Sequence, residues 1–139
     1  MYPQIRPTWA EINLDNIAHN IQAVKERLRP ECEIIAVVKG NAYGHGAVEV
    51  ARAALEAGAT RLAVSMLEEA WQLRQAGITA PILVLGYTPP AQGGLAASLN
   101  ISLTVYDQEQ TLALLEAAKA SGAVLKVHLK VDTGMGRVG

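Results

Sequence analysis

The chain has 139 residues, 50% of them hydrophobic and 18% charged, with a net charge of −1. That composition belongs to a folded domain rather than a disordered one, and it lacks the basic excess that a nucleic-acid surface needs. Aromatic residues make up only 4%, with no Phe, which argues against a base-stacking platform as well. The lone cysteine, Cys32, cannot form an internal disulfide and fits a reducing, cytoplasmic setting. The opening MYPQIRPTWAEINLDNI has no apolar core behind a basic start, so no secretory leader is expected. No apolar run reaches the ~20 residues of a membrane span.

In chain order, residues 8–13 read as a short extended segment, and Asp15 is placed to cap the helix after it. Ile17, Ile21, Val24 and Leu28 recur there at helical spacing until Pro30 ends the run. Residues 33–39, EIIAVVK, form a β-branched run that reads as a buried strand, followed by a turn-rich loop over 40–46. A helix over 47–57 is closed by Gly58. A strand follows at 61–65, then a helix at 67–76 ending at Gly77, and a strand at 82–85. Residues 89–99 read as a weak helix, because Gly93 and Gly94 cost it stability. A strand at 102–105 precedes a long helix, capped by Asp107 and ending near Gly122. The last strand covers 124–131 and runs into DTGMGRVG.

The strands start near 33, 61, 82, 102 and 124, separations of 28, 21, 20 and 22 residues. This is the rhythm of successive βα units with parallel strands. A doubly wound open sheet fits and is complete at about this length. A (β/α)8 barrel also fits, but needs roughly 250 residues, so only its first several units are present. The chain stops directly after a strand with no covering helix, which favours the barrel part.

Two strand ends carry unexpected charge. Period-2 alternation sets Glu33, Ile35, Val37 and Lys39 against the apolar set Ile34, Ala36 and Val38. The apolar set should meet helices, so Lys39 points into the barrel at the C-terminal rim, where parallel α/β folds place their sites. The plainer reading is a lysine marking the strand's exit to solvent. The loop KGNAYGHG changes the balance. Gly40, Gly44 and Gly46 let backbone N–H groups approach an anion, and the helix starting at Ala47 offers its N-terminus to a phosphate. A lysine beside a phosphate cradle is what pyridoxal phosphate requires. In the last strand Val127, Leu129 and Val131 alternate with Lys126, His128, Lys130 and Asp132. If the apolar set faces helices, Lys130 emerges at the same inward rim; a solvated edge strand is the alternative. Arg137, just past the rim, is suited to a phenolate or carboxylate.

AVVKGNAYGHG together with VDTGMGR resembles alanine racemase, the fold-type-III pyridoxal phosphate enzyme, and the likeness includes the early TWAEINLDNIAHNI. The resemblance covers only the N-terminal part of the family's length. It implies that residues 1–139 are the N-terminal part of a pyridoxal-phosphate-binding (β/α)8 barrel domain, with the C-terminal β domain absent. Lys39 then corresponds to the lysine that holds the cofactor covalently and serves as one of two racemisation bases. Tyr43 corresponds to the phosphate-contacting tyrosine, and Leu85 to an apolar position beside the cofactor. Arg137 corresponds to the arginine near the phenolic oxygen and the substrate carboxylate. Lys130 corresponds to a lysine carbamylated in many members. The second base, a tyrosine of the opposite subunit, and the arginine facing the pyridine nitrogen fall beyond Gly139. The implied activity is interconversion of L- and D-alanine in a cytoplasmic homodimer, supplying D-alanine for the peptidoglycan of the cell wall. The isolated chain is expected to self-associate and to lack activity.

Other signals are weaker. GMGRVG satisfies G-x-G-x-x-G but lacks the following helix and acidic residue of a dinucleotide site. His19, His45 and His128 have no metal-ligand spacing with each other or with Cys32, so no metal is expected. His19 falls on a solvent face, Cys32 reads as inert packing, and Leu67, Ala70, Trp71 and Leu73 as helix-packing positions. Two rival functions stay open: a racemase for another amino acid such as serine, and a non-catalytic pyridoxal phosphate carrier.

Overall fold

A computed structural model describes residues 8–139; the leader reading of the first residues rests partly on positions outside that range. The elements are α1 (Leu14–Lys25), β1 (Ile35–Val37), α2 (Lys39–Tyr43), α3 (Ala47–Glu56), β2 (Arg61–Val64), α4 (Leu67–Gln75), β3 (Ile82–Val84), α5 (Gly93–Ser98), β4 (Ile101–Val105), α6 (Gln108–Ala120) and β5 (Val127–Leu129). The strands pair parallel in the order β1-β2-β3-β4-β5. This order decides between the two candidate architectures. A doubly wound sheet reverses direction at a switch point. Here every new strand adds on the same side, which is how a barrel wall grows.

The two faces of the sheet differ as the alternation predicts. Val38, Leu62, Val64, Ile82, Val84, Ile101 and Leu103 are buried in one cluster with Ala51, Ala70, Leu73, Ala96 and Leu114 from the helices. The other face is the future barrel interior. The register lines up Val37, Ala63, Leu83 and Ser102 across it, and sets Thr104 beside His128. Arg74 of α4 clamps the far end of the wall. Its guanidinium donates to the carbonyls of Ile78, Ala80, Leu99 and Asn100 at 2.7–3.2 Å, and burial lowers its pKa.

Several local expectations need correction. Asn13 caps α1, its Oδ1 accepting from Asn16 N–H at 3.1 Å, while Asp15 sits in the first turn where it complements the helix dipole. The helix ends at Lys25, so Leu28 lies outside it. Residues 8–13 join no strand. Cys32 is exposed rather than packed. Leu67, Ala70 and Leu73 are buried, but Trp71, one position out of phase with them, is 49% exposed. The last strand is confined to Val127–Leu129, paired with Leu103–Val105 of β4. Its helix-side residues are open: Val127 is 46% and Leu129 75% exposed. Among the described residues no helix is long and apolar enough to cross a membrane.

Candidate active site

The end of β1 delivers Lys39 to the C-terminal rim. Val38 N–H donates to Ala63 O at 2.8 Å, the last rung before the chain leaves the sheet. The single turn α2 that follows is wound left-handed, with φ/ψ of 59/45 at Gly40, 54/45 at Asn41 and 51/49 at Ala42. Tyr43 continues it at φ 56. Glycine adopts this conformation freely. Each residue bearing a Cβ costs about 1–2 kcal/mol there, and strain of this kind gathers at functional sites.

The turn is tied down on every side. Gly44 N–H donates to Gly40 O and to Asn41 O, both at 3.1 Å, and Gly46 N–H to Asn41 O at 3.0 Å. Asn41 Oδ1 accepts from Ala47 N–H at 2.8 Å and so caps α3. The ring Nδ1 of His45 bonds Ala42 O at 2.9 Å. Ala42 itself is buried in the core. The result displays a half-buried Lys39 beside Tyr43, which is 63% exposed. Lys39 Nζ lies 6.0 Å from the centroid of the Tyr43 ring, at the outer limit of a cation–π contact.

The start of α3, which the sequence offers to a phosphate, is partly occupied. Its first N–H is committed to Asn41. Glu49 in its first turn brings a carboxylate so close that a Cβ on Gly46 would lie 3.0 Å from Glu49 Oε2. A carboxylate at a helix N-terminus already satisfies the dipole and repels a second anion.

Leu85 follows β3 at the same rim, its N–H donating to Val64 O at 2.8 Å, and is 38% exposed. The next residue must be glycine for steric reasons: a Cβ on Gly86 would meet Ser65 O at 2.5 Å. Lys130 follows β5 half-buried, its N–H donating to Val105 O at 2.8 Å. Arg137 is exposed at the end of a loop organised by Asp132. Asp132 Oδ1 accepts from Gly134 N–H at 2.8 Å and Oδ2 from Arg137 N–H at 3.1 Å. The N–H groups of Gly134 and then Gly136 hold the Asp132 carboxyl below its ordinary range. Thus Lys39 and Tyr43 are brought together directly. Lys39, Leu85 and Lys130 share the C-terminal ends of parallel strands.

Glu69 on α4 has no place in the sequence reading, yet it touches this rim most. Its Oε1 accepts from Gly40 N–H at 2.6 Å, and its Oε2 from Ser65 N–H at 2.7 Å and Met66 N–H at 3.3 Å. The signal was a Glu at the third helical position, the far half of a capping box. It was masked because the cap residue is Met66.

A parallel barrel wall with a lysine raised on a strained turn at its C-terminal rim defines the class: an α/β-barrel protein with its chemistry on the strand ends. Residues 12–139 match the family described as alanine racemase, N-terminal domain, and the chain belongs to it. It is 56% identical over 133 residues to the alanine racemase of Desulforamulus reducens, covering 96% of this chain and 36% of that protein. Among solved structures it resembles the alanine racemase of Bacillus anthracis with bound L-Ala-P, at TM-score 0.92 and 51% identity over 99% of this chain and 36% of that one. It also resembles the histidine racemase of Leuconostoc mesenteroides, at TM-score 0.85 and 43% identity, over 91% of this chain and 34% of that one. The chain spans little more than a third of the length of these relatives.

Proposed function

We propose that this chain is the lysine-bearing part of a pyridoxal-phosphate-dependent racemase that interconverts L- and D-alanine. The observation that carries the reading is the left-handed turn that raises Lys39 beside Tyr43 at the inward rim. The donor set fits the cofactor: an amine for its aldehyde in Lys39, a free hydroxyl for its phosphate in Tyr43, and an apolar ring contact in Leu85. The guanidinium of Arg137 suits its phenolic oxygen. When bound, pyridoxal phosphate draws electrons from the substrate's α-carbon and makes the attached proton acidic.

This chain's residues have distinct tasks. Lys39 Nζ tethers the cofactor, then takes and returns the α-proton on one face of the substrate. Arg137 binds the substrate carboxylate and fixes which face is offered. Lys130 carries a carbamate whose negative charge orients Arg137. As plain ammonium and guanidinium at contact distance, the two cations would repel by several kcal/mol at an effective dielectric near 20. The second base, on the opposite face, comes from a partner subunit in a homodimer, and the product serves the cell wall.

A specific observation favours a second reading, a racemase for a different amino acid. The histidine racemase carries a similar N-terminal architecture at 43% identity, so this architecture is compatible with a substrate other than alanine. Nothing comparable favours a carrier protein.

The test is to add pyridoxal phosphate to the polypeptide as its gene encodes it, reduce with borohydride and map the modified peptide. Label on Lys39 is expected, together with a loss of D-alanine formation of at least 10²–10⁴-fold in Lys39→Ala. Label on another lysine with Lys39 unmodified overturns the assignment.

A further inference from the structure

We propose that Glu69 is a positioning residue for Lys39: its carboxylate holds the left-handed turn in the conformation that presents the amine. The inference rests on the reading of Lys39 as the cofactor lysine. Glu69 lies on α4, yet its two oxygens reach three backbone N–H groups in separate parts of the chain. Oε2 takes Ser65 and Met66, at the end of β2 and the start of α4. Oε1 takes Gly40, the first left-handed residue after Lys39, at 2.6 Å. The described ion pairs involve Arg29, Arg61 and Lys119 only, so no cation competes for this carboxylate among the described residues.

Capping α4 needs only one of the two oxygens. The other is spent on an element 29 residues earlier in sequence. A charge-assisted bond to a backbone N–H is about twice as strong as a neutral one. It acts at the residue where the chain turns from β1 into a conformation that Asn41, Ala42 and Tyr43 would otherwise avoid. Asn41 secures the far side of the turn through Ala47. Glu69 is the side-chain tie on the Lys39 side, and it links that tie to the ends of β1, β2 and α4 together. A small displacement of a reacting group costs rate steeply, so a carboxylate that fixes the backbone next to the amine bears on chemistry without touching substrate.

The charge and the cap can be separated. Glu69→Gln has one acceptor oxygen and one NH2. It can satisfy the helix cap or Gly40, but one of them then faces a donor. Glu69→Ala removes both ties. Arg74→Ala destabilises the fold far from the site by releasing the carbonyls of Ile78, Ala80, Leu99 and Asn100. The measurements are amide hydrogen exchange at Gly40 and borohydride trapping of pyridoxal phosphate at Lys39. Both are made on the polypeptide as its gene encodes it, well below each variant's Tm. In Glu69→Ala, Gly40 exchange should quicken and trapping should weaken, each by about tenfold to a hundredfold, the scale of one lost hydrogen bond to a charged group. Glu69→Gln should do the same if its NH2 faces Gly40, and should instead leave Gly40 protected and weaken the α4 cap if its oxygen does. Arg74→Ala should change neither beyond about twofold, even with an equal loss of Tm. Unchanged Gly40 exchange and trapping in Glu69→Ala would overturn the proposal. So would an equal loss in Arg74→Ala, which would make the effect general destabilisation. Should the wild type trap the cofactor on another lysine, the reading of Lys39 fails, and Gly40 exchange still decides whether Glu69 holds the turn.

Discussion

At the end of β1, the turn that carries Lys39 and Tyr43 is bonded to α3 through Asn41, to β2 through Val38, and to α4 through Glu69. At the end of β5, the loop that carries Arg137 is bonded by Asp132 only to its own residues, Gly134 and Arg137. The strands behind these ends differ in the same way. β1 passes into the buried Val38, while Val127 and Leu129 of β5 are open to solvent on the side where helices cover the other strands. The left-handed turn shows why this matters. A costly backbone conformation persists only where its surroundings over-determine it, and of the two rims that condition is met at the Lys39 turn.

Asn41→Ala breaks the contrast most strongly. It deletes the Oδ1 cap on Ala47 and places Ala at φ 54, where the short polar side chain of Asn is better tolerated. Loss of a cap costs about 1 kcal/mol and the backbone mismatch about as much again. Urea titration should therefore show a loss of roughly 2 kcal/mol. A loss below about 0.5 kcal/mol, the scatter of ordinary surface substitutions, would mean that the turn is not held at this point.

The two ends were unequally legible in the sequence. Alternation showed which face of β1 meets helices, but it left Lys39 open between the inward rim and the strand's exit to solvent, and only the loop after it weighed toward the rim. The rhythm of strand starts gave the parallel units. Only the pairing order separated a barrel from a doubly wound sheet, since order is a long-range fact. The left-handed winding was hidden because Asn41, Ala42 and Tyr43 are not glycines, so propensity argued against it. Glu69's capping role was masked by the cap residue Met66, and its bond to Gly40 was hidden because folding alone brings the two together. The opening of β5 was legible from the ordering of the elements: an apolar strand face with no following helical pattern.

On the open side, Leu129→Lys tests what the exposed strand does. Leu129 is 75% exposed, so its replacement should leave the folding free energy within about 0.5 kcal/mol. An unpaired, apolar strand edge recruits other chains, and a lysine on it discourages that. Sedimentation of the 139-residue chain should show self-association for the wild type and a clear shift toward monomer for Leu129→Lys. Equal association in both would move the contact elsewhere on the surface.

The smallest effect in stability is expected at Asp132, and it is the sharpest test of a loop that holds only itself. The Asp132 carboxyl is held below its ordinary range by N–H groups from Gly134 and then Gly136. A depressed folded pKa means that the carboxylate's contribution is complete above the unfolded value, near 3.9 for Asp, and is lost as pH falls through the lower, folded value. The loop should therefore keep its shape throughout the neutral range and loosen only in acid. Asp132→Asn retains one acceptor, which suffices for the turn to Gly134 but leaves an NH2 facing Arg137 N–H. Hydrogen exchange at the Arg137 amide should quicken several-fold in this variant at neutral pH, with Tm unmoved, because the Asp132 carboxylate bonds only within this loop among the described residues. The same substitution should quicken nothing at Gly40, since Asp132 bonds to no part of the Lys39 turn. A drop in Tm, or faster exchange at Gly40, would show that the two rims are already coupled within this chain and that the contrast between them is wrongly drawn.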